Sequence, residues 1–387
     1  MVRLLTLAHH IVKFPNIRFN RQEWAGAFGD IGTDLPLIVG MILAAHLDVA
    51  SVLVTYGAMQ IFTGFIYQRP MPVQPLKAVA TIVITQRIAG SIIFGAGLSI
   101  AFVMLVLTLT GTLDWLARAV PKAVVRGLQL GLGMSLAYLA LKDYLGREGI
   151  GGYILGLAAF ILVLSLLRNK RFPAALVVIF FGLIYALIFK IHAGDLMSSI
   201  GFHTPSLHFP TANDIVSGFL LLALPQIPLS LGNSILATKQ VNEDLFPDRP
   251  LTIRKIGWTY SLMNFIVPIF GGVPVCHGSG GMMGHYTFGA RTGGSILIYG
   301  GMYVLLGLFF AQGFTKIIQI FPMPILGVIL FMESLGLMIL VRDLAEDTID
   351  VWIAFMVASM AFALPYGFVV GLIAGVLAYQ FKIFIKK

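Results

Sequence analysis

The chain alternates between long apolar stretches and short polar links from one end to the other. A stretch of about 20 mostly apolar residues is the length needed to span a bilayer as a helix. Seven such stretches fill the first half: 24–47, 49–67, 70–88, 91–113, 121–142, 152–167 and 173–191. Seven more fill the second: 214–238, 256–270, 271–288, 295–314, 321–341, 351–363 and 366–385. Between the halves lies the longest polar link, 192–212. The pattern predicts an all-α integral membrane protein with 14 transmembrane segments. An odd number of segments per half makes the second half enter from the opposite side, so the two halves form a 7+7 inverted repeat.

The third and tenth stretches are broken in the same way. The third carries Met71-Pro72-Val73-Gln74-Pro75-Leu76-Lys77-Ala78, and the tenth Val273-Pro274-Val275-Cys276-His277-Gly278-Ser279-Gly280-Gly281. Proline removes a backbone donor and pushes the preceding residue toward extended conformations. Each segment therefore starts extended and turns helical afterwards. The expectation is two half-helices whose N-termini face one another and hold an anion. Free N–H groups and the positive end of the helix dipole would supply the attraction.

Composition agrees with this reading. Hydrophobic residues make up 58% of the 387 and charged residues only 11%, against about 25% charged in a soluble domain. The net charge of +9 reflects topology rather than nucleic-acid binding, because Lys and Arg collect on the cytoplasmic side. With the N-terminus inside, the 26 Lys and Arg divide roughly four to one in favour of that side, which places both termini in the cytoplasm. Residues 1–22 read as a retained cytoplasmic lead-in without a signal-peptide cleavage site, followed by a first repeat over 23–191 and a second over 213–387. No soluble domain is expected after the last span. The one cysteine, Cys276, excludes an internal disulfide and a Cys-based zinc site. No cofactor or metal is expected, and no catalytic constellation emerges, so the chain does not read as an enzyme.

Polar groups inside the apolar stretches carry the chemistry, since a buried charge costs about 3 kcal/mol on insertion scales. Gln74 and Lys77 fall on the first turns of the third segment's helix. The bare backbone of Gly278 and Gly280, with the Ser279 hydroxyl between them, suits close approach of an anion. His277 reads either as a donor to the anion or as a buried neutral imidazole; His285 and Cys276 read as structural. Thr33 lies in the polar opening Gly29-Asp30-Ile31-Gly32-Thr33-Asp34-Leu35-Pro36. Gln226, between Pro225 and Pro228, and Asn233 are neutral donors on the eighth segment. Asp30, Asp34 and Glu333 are candidates for proton coupling or gating. Lys77 either contacts the anion or balances Asp30 or Glu333. Arg126 and Arg291 are further charges in or near the membrane.

Gly29–Pro36, Pro70–Lys77, Gly272–Gly281 and the Phe288-Gly289-Ala290-Arg291-Thr292-Gly293-Gly294 run that follows resemble the molybdate transporter family within the sulfate permease superfamily. The similarity extends from about Trp24 to the end. It implies a core domain of segments 1–4 and 8–11 and a gate domain of segments 5–7 and 12–14. It also implies an oxyanion between half-helices 3 and 10, an elevator-type movement of the core, and a homodimer formed through the gate. The expected function is secondary active import of molybdate, with tungstate or sulfate as related substrates and a proton as coupling ion, across the cell membrane. The alternatives are a sulfate transporter or, further off, a nucleobase transporter or an anion channel of the same fold.

Overall fold

A computed structural model describes residues 17–113, 115, 120–166, 169, 174–189 and 200–385. Most of the expected lead-in (1–16) and the first part of the half boundary (192–199) lie outside these residues, as do the ends of the seventh span.

The apolar stretches are helical. In the first half they form α1 (Arg21–Gly26), α2 (Ile31–Ala45), α3 (Val49–Tyr67), α4 (Lys77–Gln86), α5 (Gly90–Thr110), α6 (Lys122–Leu139), α7 (Gly149–Leu166) and α8 (Ala174–Phe189). In the second they form α9 (Ala212–Gly218), α10 (Leu224–Leu229), α11 (Ala237–Leu245), α12 (Ile253–Ile269), α13 (Ser279–Thr287), α14 (Gly294–Phe309), α15 (Ala311–Ile320), α16 (Met323–Met338), α17 (Thr348–Ala363) and α18 (Gly367–Ile385).

Six helical runs among the described residues are long and apolar enough to cross a membrane unaided, and α14 with α15 make a seventh if taken together across their 97° bend. The remaining helices are shorter, among them α2, α4, α8 and α17. Large apolar side chains stand outward on several helices: Ile150 is 80% exposed, Trp352 70% and Phe384 78%. In water such a surface would aggregate; in a bilayer it is the solvated one. The molecule is an integral membrane protein, mostly helical.

It is not purely α. The two extended stretches form short strands, β1 (Val73–Pro75) and β2 (Val275–His277), which pair antiparallel with Gln74 opposite Cys276. Extended backbone inside a membrane must find partners within the protein, and pairing the two breaks is how these do so. Each strand is also held by a carboxamide from the helix preceding it. Gln60 on α3 bonds both Val73 N (2.9 Å) and Val73 O (2.8 Å). Asn264 on α12 does the same for Val275 N (2.9 Å) and Val275 O (2.6 Å).

Several boundaries differ from the sequence reading. The eighth segment runs on as helix to Leu245, into a stretch expected to be loop. Its polar end is supported by Lys239–Glu243 (2.9 Å) and Gln240–Asp244 (2.9 Å) pairs one turn apart. Pro225 and Pro228 do not break that helix. They are flanked by π-helical turns at Phe219–Ala223 and Ser230–Leu236, which absorb the missing donors and the steric conflict. The expected loop after the fifth segment is also helical. A π-turn (Ala140–Tyr144) and a 3-10 turn (Leu145–Glu148) lead to Gly149, whose φ of 62° turns the chain into α7. The eleventh stretch, expected as one span, bends after Phe309.

Helix packing falls into two groups. In one, α3 packs on α14, and α5 packs on α12 and α9. In the other, α6 packs on α16, α17 and α18, and α16 packs on α7. The groups meet where α2 and α4 lie against α16 and α6.

Candidate functional site

At that meeting lies a cavity of about 360 Å³, several times the ~30 Å³ that one water occupies in the liquid. Both half-helix starts open onto it. Lys77 comes from the first turn of α4, and Gly278, Ser279 and Gly280 from the start of α13. Thr33, Gln74, Gln226, Asn233 and His277 complete the set expected from the sequence, so all nine candidate binding residues line this one cavity. Glu333 lines it as well, while Asp30, Asp34 and Arg291 do not.

The glycines are needed for the local packing. A Cβ on Gly278 would stand 2.1 Å from Gln74 Cδ, and one on Gly281 would stand 2.1 Å from Asp30 Oδ2. Gly280 has open space on that side. Gln74 thus lies on the Gly278 backbone, and its amide donates to both Asp30 oxygens, at 2.8 and 2.7 Å. The Asp30 carboxylate is buried beside the N-terminal turn of α13, where the helix dipole favours negative charge. Asp34 is fully buried, with Tyr299 Oη donating to Oδ2 at 3.4 Å. Its Oδ1 has no partner among the described residues.

Lys77 pairs with Glu333 on α16, and Thr33 Oγ1 reaches the other Glu333 oxygen at 3.5 Å. Of the two partners left open for Lys77, the structure gives Glu333. Gln226 is committed too. Its Oε1 accepts from Ala78 N at 2.9 Å and Val79 N at 3.4 Å, capping α4 in place of a local N-cap side chain. Its Nε2 donates to Ser230 Oγ at 3.0 Å. His277 has a fully buried ring whose Nε2 lies 2.7 Å from Thr259 Oγ1, with Tyr67 edge-on to it. His285 is fully buried beside Tyr299. Cys276 is a buried thiol on the cavity wall. Arg291 lies over the Tyr286 ring and donates to the carbonyls of Tyr286 and Ala290.

Arg126 and Gln129 are among the wall residues that carry no binding role in the sequence reading. Both lie on α6 and face the cavity from the side opposite the half-helices' own group. The signal for Arg126 was its charge within a membrane stretch; Gln129 offered none beyond being polar in an apolar run. Charged side chains on the wall are therefore Lys77 and Arg126 against Glu333. With two helix N-termini added, the cavity favours an anion.

A family model described as "Molybdate transporter of MFS superfamily" matches residues 22–136 and 218–337. The chain is 32% identical to "Molybdate transporter 2" of Arabidopsis thaliana, over 91% of this chain and 86% of that one. It is 29% identical to "Molybdate transporter 1" of the same plant, over 94% and 88%. With "Molybdate transporter 1" of Chlamydomonas reinhardtii the identity is 27%, over 93% and 92%. In fold it is similar to the transmembrane domain of the cyanobacterial bicarbonate transporter BicA, with a TM-score of 0.67 at 18% identity over 93% of this chain and 98% of that one. It is similar also to murine Slc26a9 in its inward-facing state, with a TM-score of 0.68 at 13% identity over 99% and 70%. The membrane-embedded fold is thus that of the SLC26 and sulfate permease transporters, and the chain belongs to the molybdate transporter family, a family of transporters and not of enzymes.

Proposed function

We infer that this protein is a secondary transporter importing molybdate across the cell membrane, with the dianion held in the cavity between the starts of α4 and α13. The observation that carries this reading is the cavity wall itself. Two cations, one carboxylate and two half-helix N-termini converge on a space sized for a small oxyanion with part of its water shell. Ser279 and the N–H groups at the start of α13 are the direct donors, Lys77 supplies charge, and Gln74 is positioned by Asp30. Family membership supports the substrate; tungstate and sulfate, also tetrahedral dianions, are the expected competitors.

In this reading the fold is a 7+7 inverted repeat of 14 segments with both termini cytoplasmic. The paired carboxamide clamps, Gln60 on Val73 and Asn264 on Val275, are the repeat's local trace. The group holding both half-helices moves as the elevator against the group of α6–α8 and α16–α18, through which two copies form the dimer. Import of a dianion against a negative-inside potential costs about 2.3 kcal/mol per charge per 100 mV. A coupled proton offsets part of that cost, and Asp30, Asp34 and Glu333 are the carboxylates placed to carry it.

Uptake into proteoliposomes tests the assignment. Molybdate uptake should be saturable, competed by tungstate and sulfate, untouched by uracil, and accelerated by an inward proton gradient. Competition by uracil without transport of molybdate would make this a nucleobase carrier. Uptake indifferent to the imposed gradient would remove the proton while leaving the substrate.

A further inference from the structure

Arg126 stands between two cavities. The first is the one described. The second, of about 560 Å³, is lined by Lys122, Arg126, Asn233, Tyr379 and Gln380 among others. Arg126, Asn233 and Ala237 belong to both walls. The Arg126 and Asn233 side chains therefore stand at the boundary of the two spaces.

The chemistry at this point is that of an unfilled anion cradle. Gln129 is fully buried, yet its Nε2 has no hydrogen-bond partner among the described residues. Its Oε1 is taken by Arg126 Nη1 at 2.9 Å, which fixes the amide so that Nε2 is left as the spare donor. Arg126 Nε is also buried without a partner. A buried donor left unmade costs about 1–3 kcal/mol, so two of them side by side on a cavity wall are matched to something that enters. The other end of the guanidinium is held by Asp343, and Lys122 Nζ lies 4.0 Å from the same carboxylate. Two cations share one carboxylate that is 35% exposed and can yield its place.

The geometry points to a second oxyanion-binding station, formed by Arg126, Gln129 and Asn233, that receives the anion at the mouth of the central cavity and exchanges it for the Asp343 carboxylate. It rests on the reading of the central cavity as the transport site and adds to it a handover step on the opposite helix group. The planar fork of Arg126 suits a tetrahedral oxyanion better than a halide, because two parallel donors can meet two oxygens. Asp343 acts as a competitor that keeps the empty station neutralised, so that the anion enters by replacing one charge with another.

The test measures initial molybdate uptake in proteoliposomes and equilibrium molybdate binding in parallel, on the parent protein, Gln129→Leu, Arg126→Gln and Asp343→Asn. Gln129→Leu and Arg126→Gln should raise the KM for uptake about tenfold, while in Gln129→Leu equilibrium binding at the central site changes less than about twofold. Asp343→Asn should shift KM the other way. An unchanged KM in Gln129→Leu overturns the station, as does a loss of equilibrium binding in that variant in proportion to its KM, which would place the Gln129 side chain in the central site. A raised KM in Asp343→Asn overturns the exchange. Gln129→Leu keeps the Arg126–Asp343 pair, so it decides the matter even where Arg126→Gln does not fold. A parent protein that binds no molybdate removes the central-site reading and this inference together; a parent that binds, with silent variants, removes this inference alone.

Discussion

Gln74 gives its amide to both carboxylate oxygens of Asp30, at 2.8 and 2.7 Å, so the two residues act as one buried unit beside the start of α13. Removing one member leaves the other stranded. Gln74→Leu should lower stability by about 1–3 kcal/mol, because the buried Asp30 side chain loses its hydrogen-bond donor. Asp30→Leu combined with Gln74→Leu should restore part of that loss. Thermal unfolding of the two single variants and the double variant in detergent reads this directly. A double variant that loses the sum of the single losses would show that the pair is not coupled.

The three glycines at the α13 start divide by what they face. Gly278→Ala and Gly281→Ala force a Cβ to 2.1 Å from Gln74 and Asp30 respectively, and something must move. Both should cut molybdate affinity by about tenfold or more and reduce the unfolding temperature. Gly280→Ala meets no atom within 4 Å and should fold as the parent does. It narrows the cavity by a methyl group, so it should favour sulfate over the larger molybdate. Competitive binding of the two anions measures that ratio, and equal loss of both would refute the size argument.

The Lys77–Glu333 pair joins the two helix groups across the cavity. Glu333→Gln frees the ammonium while keeping the shape of its partner. Molybdate affinity should rise by about tenfold, the worth of one charge-assisted bond. Affinity unchanged in Glu333→Gln would mean that Lys77 never reaches the anion.

Gln226 holds the first turn of α4 by accepting from Ala78 N and Val79 N. Gln226→Leu exposes buried donors and should cost about 1–3 kcal/mol of stability. Gln226→Glu keeps the acceptor but sets a negative charge on the cavity wall. It should melt near the parent temperature and bind molybdate more weakly, a separation of stability from affinity that melting and binding curves on the same sample resolve.

Much of this site was legible because polar residues in a membrane stretch are few and costly. The two proline breaks and the Gly-rich turn border the cavity, and the binding candidates on segments one, three, eight and ten line it, while Asp30 and Asp34 do not. What stayed hidden depends on contacts across the chain. The pairing of β1 with β2 leaves no local pattern, since three extended residues look the same paired or alone. Gln226 reads as a donor by residue type, and only the nearby N–H groups of Ala78 and Val79 turn it into an acceptor. The continuation of the eighth helix to Leu245 was masked by charge, although its i,i+4 pairs were present in the sequence. Gln129 lacked any marker because its role depends on Arg126 one turn before it and on the space in front of it.

The β1–β2 ladder also sets a timetable. Its strands lie roughly 200 residues apart in the chain, and synthesis proceeds at about 5–20 residues per second. The first strand is therefore made about 10–40 s before its mate emerges. Through that interval Gln60 and Tyr56, both within the preceding helix, can already occupy the backbone of Val73. Loss of those two side chains should show first as poor yield of inserted protein rather than as a weakened carrier.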